Sequence, residues 1–547
     1  MVELLVVLVA GIVVIAAAAV IGPRLGVAAP LVLVAIGVGA SFLPAFESLH
    51  VEPEWILEGV FPPLLYSAAV SMPAMNFRRD FGAIGGLSVL LVIGNSLVLG
   101  WFFTLVIPGL GFAWGVALGA VVSPTDAVAT SIIRRTSVSK RVVALLDGEG
   151  LLNDATALVL LRTAIVATAA SFSFLNAVAA FAHAVAVAVV IGGFVGWLNL
   201  AARRRVTDAP VNTVLSFTAP FVASVPAELL GGSGLVAAVV AGLVTGVHAP
   251  RVLSAQHRLS DWQNWRTVEL VLEGAVFLTM GLQIEPIVAN VERDHAGSGR
   301  AVLVAAVALV LTLLVRAAFV APLLGLLARR SRRGERLQPR LRSVHERLTT
   351  AGGRPRQVSE QRLERFAVRV RKMIADIDYF RREPLGWRDG TAVVWAGMRG
   401  AVTVAAAQTL PDDTPRRSVL VLVAFAVAVI SLAVQGSTIG PLIRRLTRDQ
   451  DADDARAKAE RSQLVDLMRA AAATVPKVPR PEGEPTTAEI DARRRRLLAV
   501  FAAQRSALLD ARDEGTFDAD VLASALANLD ASEIAVQMRA GTPRTHE

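Results

Sequence analysis

Long apolar runs cut by short polar loops dominate the chain. The runs fall near residues 3–22, 28–44, 56–72, 82–107, 111–133, 142–169, 175–202, 211–230, 234–248, 265–290, 300–328, 388–410 and 417–443. A helix needs about 20 mostly apolar residues to cross the hydrocarbon core of a bilayer. The pattern therefore predicts an all-α polytopic membrane protein with about thirteen transmembrane helices, 234–248 being the shortest. The first run, "MVELLVVLVAGIVVIAAAAVIG", lacks a basic start and is long enough to span, so it is expected to be a first helix and not a cleaved signal. The pattern changes character twice. Residues 329–386 form an Arg-rich insert whose run "RLERFAVRVRKMIADIDYF" reads as an amphipathic helix, either lying on anionic lipid or simply solvated. From about 446 onward, two charged helical stretches flank the Pro-rich linker "VPKVPRPEGEPTT".

Charge adds an orientation. The chain carries 55 Lys and Arg against 46 Asp and Glu, a formal +9. The basic residues gather in alternate loops: Arg78 and Arg79; Arg134, Arg135, Lys140 and Arg141; Arg203 to Arg205; Arg251, Arg258 and Arg266; then the insert from Arg329. The loops between them, "FESLHVEPEW", "PGLG", "SFSF" and "GGSG", hold no Lys or Arg. Basic loops stay in the cytoplasm, which puts the N-terminus outside and the C-terminus inside. Membrane orientation thus accounts for the basic balance, and nucleic acid is not an expected partner. The expected organisation is a transmembrane domain over 1–445, with the 329–386 insert between its eleventh and twelfth spans, and a cytoplasmic helical tail over 446–547. The tail is expected to serve regulation or oligomer contact. The chain has no cysteine, which excludes disulfides, thiolate catalysis and Cys-ligated metal.

Polar residues inside the runs point to a site. An odd helix count suggests six helices, a linker and six more, and a shift of seven inverts the topology of the second set. Under that plan the fifth span pairs with the twelfth. The fifth holds "VVSPTDAVAT" with Pro124 inside it, and the twelfth holds "WAGMRGAVTV" with Gly397, Arg399 and Gly400. Both are expected to break and cross, and broken spans at matching positions mark transport sites. At about 1.5 Å of rise per residue, Asp126 and Glu149 lie roughly 12 Å from the basic side and Asp154 roughly 20 Å. Arg316 and Arg399 fall near the middle of their spans. Charges at that depth are rare and usually functional. Glu149 and Asn153 share one helix face, whereas Asp154 is turned by about 140° from Glu149. Glu149 is therefore assigned an arginine partner and Asp154 the ion path. The Thr125 carbonyl, the Asp126 carboxylate and the Asp154 carboxylate offer the hard oxygens a Na⁺ ion prefers. A carboxylate that holds either a cation or a proton is the least machinery that antiport requires. Asp126 reads otherwise as a helix cap, and Ser67 as either a packing residue or a further contact of the site. Glu269 and Glu273 read as a polar face toward the cytoplasmic side rather than as ligands. His183 reads as a packing residue.

The stretches "SPTDAVA" (123–129), "GEGLLNDATALVL" (148–160), "FLTMGLQI" (277–284) and "GMRGAVTVAAA" (397–407), with "FPPLLYSAA" (61–69), resemble the monovalent cation:proton antiporter family, in its NhaP/NHE-like Na⁺/H⁺ exchanger branch. The resemblance covers the membrane region to about residue 445, with the insert as an addition. It implies an NhaA/NhaP-like fold of inverted repeats and a homodimer in the lipid of the cell membrane. It also implies a core domain that moves against a dimerisation domain. By resemblance, Asp154 carries cation and proton in turn. Asn153 is its partner in a pair typical of electroneutral exchangers, and Asp126 and Thr125 line the site. Glu149 pairs with Arg316 structurally, and Arg399 compensates charge at the helix crossing. Two positions depart from the family pattern: Gly150 stands where many members have a Ser ligand, and Ser67 where many have Glu. A thinner cage makes K⁺/H⁺ antiport the alternative to Na⁺ (or Li⁺) exchange.

Other classes have less behind them. No "TVGYG"-type filter supports a channel, and paired broken helices suit alternating access better. "HExxH" is absent and His183 has no serine partner, so no enzyme is expected. No resident cofactor is expected; the cations and protons are cargo.

Overall fold

The computed structural model describes residues 2–24, 27–43, 52–126, 128–134, 138–169, 174–293, 297–349, 360–446, 450–478 and 486–541. Arg135, residues 46–51 of the acidic loop, 171–173 of "SFSF" and 479–485 of the linker lie outside them. Among the described residues the regular structure is helical throughout, without a strand. The chain opens with α1 (Val2–Arg24) and α2 (Ala29–Ser41), and a π-helical turn at Trp55–Val60 leads into α3 (Phe61–Ser71). Next, α4 (Ala74–Gly85), a second π turn (Gly86–Leu91) and α5 (Val92–Val106) form one run. The halves α6 (Phe112–Val122) and α7 (Val128–Ile133) make the first interrupted helix. Then come α8 (Lys140–Ala169), α9 (Phe174–Arg203), α10 (Ala209–Leu229), α11 (Gly234–Val252), α12 (Ala255–Leu282) and α13 (Ile284–Arg293). After these follow α14 (Ser298–Thr349), α15 (Glu360–Arg382), the second interrupted pair α16 (Trp387–Trp395) and α17 (Ala401–Gln408), and α18 (Arg417–Leu446). Among the described residues, eight helical runs are long and apolar enough to cross a membrane, and α2 and α6 are shorter apolar helices.

These helices sort into two packed groups. In one, α9 lies on α11, α11 on α3, α2 on α12, and α10 fills in between α9, α11 and α12. In lipid, helices associate by close packing and small residues rather than by burying apolar area from water. Gly192 of α9 sits so close to α11 that a Cβ there would come within 2.3 Å of the Ala237 carbonyl oxygen. A polar knot ties the same group together: Arg203 pairs with Asp261 at 2.9 Å, and its Nε donates to Asn212. The Trp265 indole donates to Ser216 at 3.0 Å. In the other group, α5, α8, α14 and α18 pack around the two interrupted helices, α6–α7 and α16–α17.

The insert and tail dock on the basic end of this body. Helix α14 runs for 52 residues, far past the apolar segment, and α15 packs along it. Val370 is buried and Ile377 lies against Gly334 of α14, so this apolar face of α15 is covered by protein. The tail comprises α19 (Gln450–Ala473), α20 (Thr487–Glu514) and α21 (Ala519–Gly541). The second charged stretch splits in two because Gly515, at φ 76°, ends α20 in the left-handed conformation that glycine adopts without strain. The contacts of this tail reach both groups. The buried Arg79 donates to the Gly515 carbonyl at 2.7 Å and to Asp376 at 2.8 Å. Lys140 meets Asp518 at 2.8 Å, Arg251 meets Asp513 at 2.8 Å, and Arg258 meets Asp530. The basic loops of the chain therefore share one end of the molecule.

Candidate functional site

Each interrupted helix breaks for a reason visible in its sequence. Pro124 has no N–H to give and its ring obstructs the preceding turn, so α6 ends at Val122. Gly397 and Gly400 bracket the second break and let the two extended segments touch. The Asp126 N–H donates to the Met398 carbonyl at 2.7 Å across the crossing. A Cβ on Gly400 would fall 1.3 Å from Asp126 Oδ2, and one on Gly397 would fall 2.8 Å from Arg316 Cδ. Only glycine leaves room for these side chains.

The breaks free backbone carbonyls, and Arg399 takes them up. Its Nε donates to the Val122 carbonyl at 2.9 Å, Nη2 to the Ser123 carbonyl at 3.3 Å, and Nη1 to the Gly397 carbonyl. The guanidinium thus sits at the carbonyl end of α6, where the helix dipole favours positive charge. Ser431 and Gln435 of α18 brace the same break. Ser431 accepts from the Arg399 N–H at 2.9 Å, and Gln435 donates to the Trp395 carbonyl at 2.8 Å. Sequence reasoning missed both residues. Polar side chains four apart inside an apolar run were the available signal.

Glu149 and Arg316 form a bidentate pair in which Nη2 donates to Oε2 at 2.7 Å and Nη1 to Oε1. Both residues are 1% exposed. Arg316 Nε donates to the Val393 carbonyl at 2.9 Å, and Thr125 Oγ1 donates to Glu149 Oε1 at 3.3 Å. Asn153 Nδ2 donates to Thr125 Oγ1 at 2.7 Å and to its carbonyl at 3.3 Å. The side chains of Glu149, Thr125 and Asn153 are thus one hydrogen-bonded string from α8 to the first break. A small cavity lined by Asn95, Ser123, Glu149, Thr312, Arg316 and Arg399 lies beside it.

Asp126 Oδ1 accepts the Val128 N–H at 3.1 Å and so caps α7. Asp154 follows Asn153 on α8. Asp154 is buried, and its Oδ1 has no hydrogen-bond partner among the described residues; the same holds for Asn153 Oδ1. Ser67 is not hydrogen-bonded to this string. Its Oγ donates instead to Glu269 Oε1 of α12 at 2.5 Å. Gly150 faces open space, with nothing within 4 Å of where a Cβ would stand.

Two broken helices crossing in the middle of a helical membrane body, with buried acceptors that have no partner among the described residues, define a secondary ion transporter. Residues 6–445 match the family described as sodium/hydrogen exchanger, transmembrane, and the chain belongs to that family of cation/proton antiporters, which are transporters rather than enzymes. An uncharacterized Na⁺/H⁺ exchanger of Mycobacterium bovis is 27% identical over 459 residues, 82% of this chain and 75% of that one. A sodium, potassium, lithium and rubidium/H⁺ antiporter of Bacillus pumilus is 29% identical over 276 residues, 49% of this chain and 41% of that one. The structure of the sodium proton antiporter MjNhaP1 from Methanocaldococcus jannaschii at pH 8 superposes with a TM-score of 0.56 at 15% identity, covering 81% of this chain and 99% of that one. That likeness shows the fold. The protein is a multi-pass helical membrane protein with an NhaP-like fold.

Proposed function

We propose that the protein exchanges Na⁺ for H⁺ across the cell membrane, one for one, by alternating access, with the two ions competing for Asp154. The observation that carries this reading is the buried Asp154 Oδ1, without a hydrogen-bond partner among the described residues. An orphaned carboxylate oxygen in a low-dielectric site is costly unless a proton or a cation fills it. Asp126 and Thr125 supply the neighbouring oxygens, and Asn153 holds Thr125 in place. Glu149 and Arg316 neutralise each other and keep α8, α14 and the first break together, so neither carries the ion. Arg399 balances the carbonyl ends at the crossing. The group of helices around the crossing rocks against the α2–α3–α9–α12 group, and the protein works as a homodimer in lipid. The end bearing the tail is cytoplasmic, because the basic loops gather there, and the N-terminus is outside.

K⁺ is the second candidate for the cation. The open space at Gly150 and the commitment of the Ser67 hydroxyl to Glu269 make a roomier cage. A relative named for sodium, potassium, lithium and rubidium is compatible with that. The experiment is proton movement in proteoliposomes holding a pH dye, with Na⁺, K⁺ or Li⁺ added, with and without a membrane-potential clamp. A cation-driven pH change insensitive to the clamp is expected. Asp154→Asn is expected to lose exchange while remaining a folded, monodisperse protein. Full activity in that variant refutes the mechanism, and a clamp-sensitive signal refutes the one-for-one stoichiometry.

A further inference from the structure

Helix α12 carries Glu269 and Glu273, one turn apart and on one face. No arginine or lysine pairs with either among the described residues. A carboxylate left alone at membrane depth is costly, and two on one face need a reason. Their direction is fixed by Ser67, itself 1% exposed, whose hydroxyl reaches Glu269 at 2.5 Å. Helix α12 also packs against α17, whose N-cap is Gly400, the glycine that abuts Asp126. The acids of α12 therefore lead to the crossing. A separate observation points the same way. Among the described residues, three buried side-chain oxygens on the helices of the crossing have no hydrogen-bond partner: Asn153 Oδ1 and Asp154 Oδ1 of α8 and Thr403 Oγ1 of α17. Acids gathered beside unfilled acceptors are what a bound cation would satisfy.

We propose that Glu273 is a further cation ligand, delivered to the Asp126–Asp154 site from α12. The inference rests on the exchange proposed at Asp154. It gives the site an oxygen and a charge that Gly150 and Ser67 do not supply. Glu269, held by Ser67, orients the acidic face of α12 and is a positioning residue. Helix α12 packs with α2 and α10 in one group, whereas Asp126 and Asp154 belong to the other. The cage is therefore complete only when the two groups stand as they do here. Cation affinity then differs between the two access states.

The test is the Na⁺ dependence of exchange in proteoliposomes for the wild type, Glu273→Gln, Ser67→Glu combined with Glu273→Gln, and Asp154→Asn. Glu273→Gln is expected to raise the half-saturating Na⁺ by about tenfold, the weight of one ligand. Moving the carboxylate to position 67 in the double variant is expected to recover most of it. Melting in detergent gives a second readout: Na⁺ raises the melting temperature of the wild type, and that rise shrinks in Glu273→Gln. Should Glu273→Gln not fold, Glu273→Asp keeps the charge, and its half-saturating Na⁺ is expected to lie between the two. An unchanged half-saturation in a folded Glu273 variant overturns the inference. So does a loss that the double variant fails to recover, which would make Glu273 structural. Normal exchange by Asp154→Asn would instead overturn the underlying mechanism.

Discussion

Replacing Glu149 by Gln keeps the shape of the side chain and removes its charge. Arg316 then stays buried with one carbonyl bond, from Nε to Val393, and no anion. Removing one partner of a buried ion pair costs about 3–5 kcal/mol, because the survivor is left uncompensated. The bidentate geometry puts this pair toward the upper end, while the amide oxygen of the substituted side chain still accepts from Arg316 and Thr125 and recovers part. A loss of about 3 kcal/mol is expected, roughly a 150-fold drop in the folded-to-unfolded ratio. The assay is denaturant unfolding in mixed micelles, run as a double-mutant cycle with Arg316→Met. Removing both charges is expected to cost less than removing either, since a buried pair is often replaceable by apolar groups. Half-saturating Na⁺ is expected to move far less than stability. A loss below about 1 kcal/mol in Glu149→Gln, or a double variant as unstable as the sum of the singles, refutes the structural role.

The two glycines of the site predict opposite results. Gly400→Ala puts a methyl group 1.3 Å from Asp126 Oδ2 and is expected to prevent the crossing, seen as aggregated or absent protein on size exclusion. Gly150→Ser has open space and is expected to fold normally while lowering half-saturating Na⁺ or re-ranking Na⁺ against K⁺. Tail docking has its own pH dependence. Burial pushes the Glu460 carboxyl above its ordinary 4.5, with the Asp518 charge adding to it and Arg382 and Lys140 pulling back. A raised acid favours the docked form when protonated, so its contribution is complete below 4.5 and is lost as pH rises through the raised value. Hydrogen-exchange protection of α19 is expected to grow on mild acidification, and Glu460→Gln is expected to flatten that response.

Much of the architecture was legible because bilayer thickness dictates run length, and helices occupy each long apolar segment. Pro124, Gly397 and Gly400 announced the breaks, since neither a missing N–H nor a missing Cβ depends on distant context. Partners were less legible. Arg316 and Arg399 both lie mid-span, and nothing in local sequence says which one meets Glu149. The resemblance pointed to Arg316, while the Val122 carbonyl that Arg399 engages lies 277 residues earlier in the chain. The facing of Glu269 and Glu273 was not readable, because a helix face has no meaning until its neighbour is known. The full length of α14 was not readable for another reason. Hydropathy stops at the membrane boundary, whereas backbone hydrogen bonding continues through "ARRSRRGERL" as long as nothing interrupts it.

That continuity makes α14 a lever. At about 1.5 Å per residue, its 52 residues extend for roughly 78 Å, kinks at Pro322 and Pro339 aside. Arg316, near the middle, is bolted to Glu149, so α14 follows whatever α8 does. A tilt of about 10° at the membrane end would sweep the far end through roughly 13 Å. An event of ångström scale around one carboxylate is thus amplified at the end that bears the tail, where a fluorophore on a cysteine-free chain could watch single turnovers from outside the membrane.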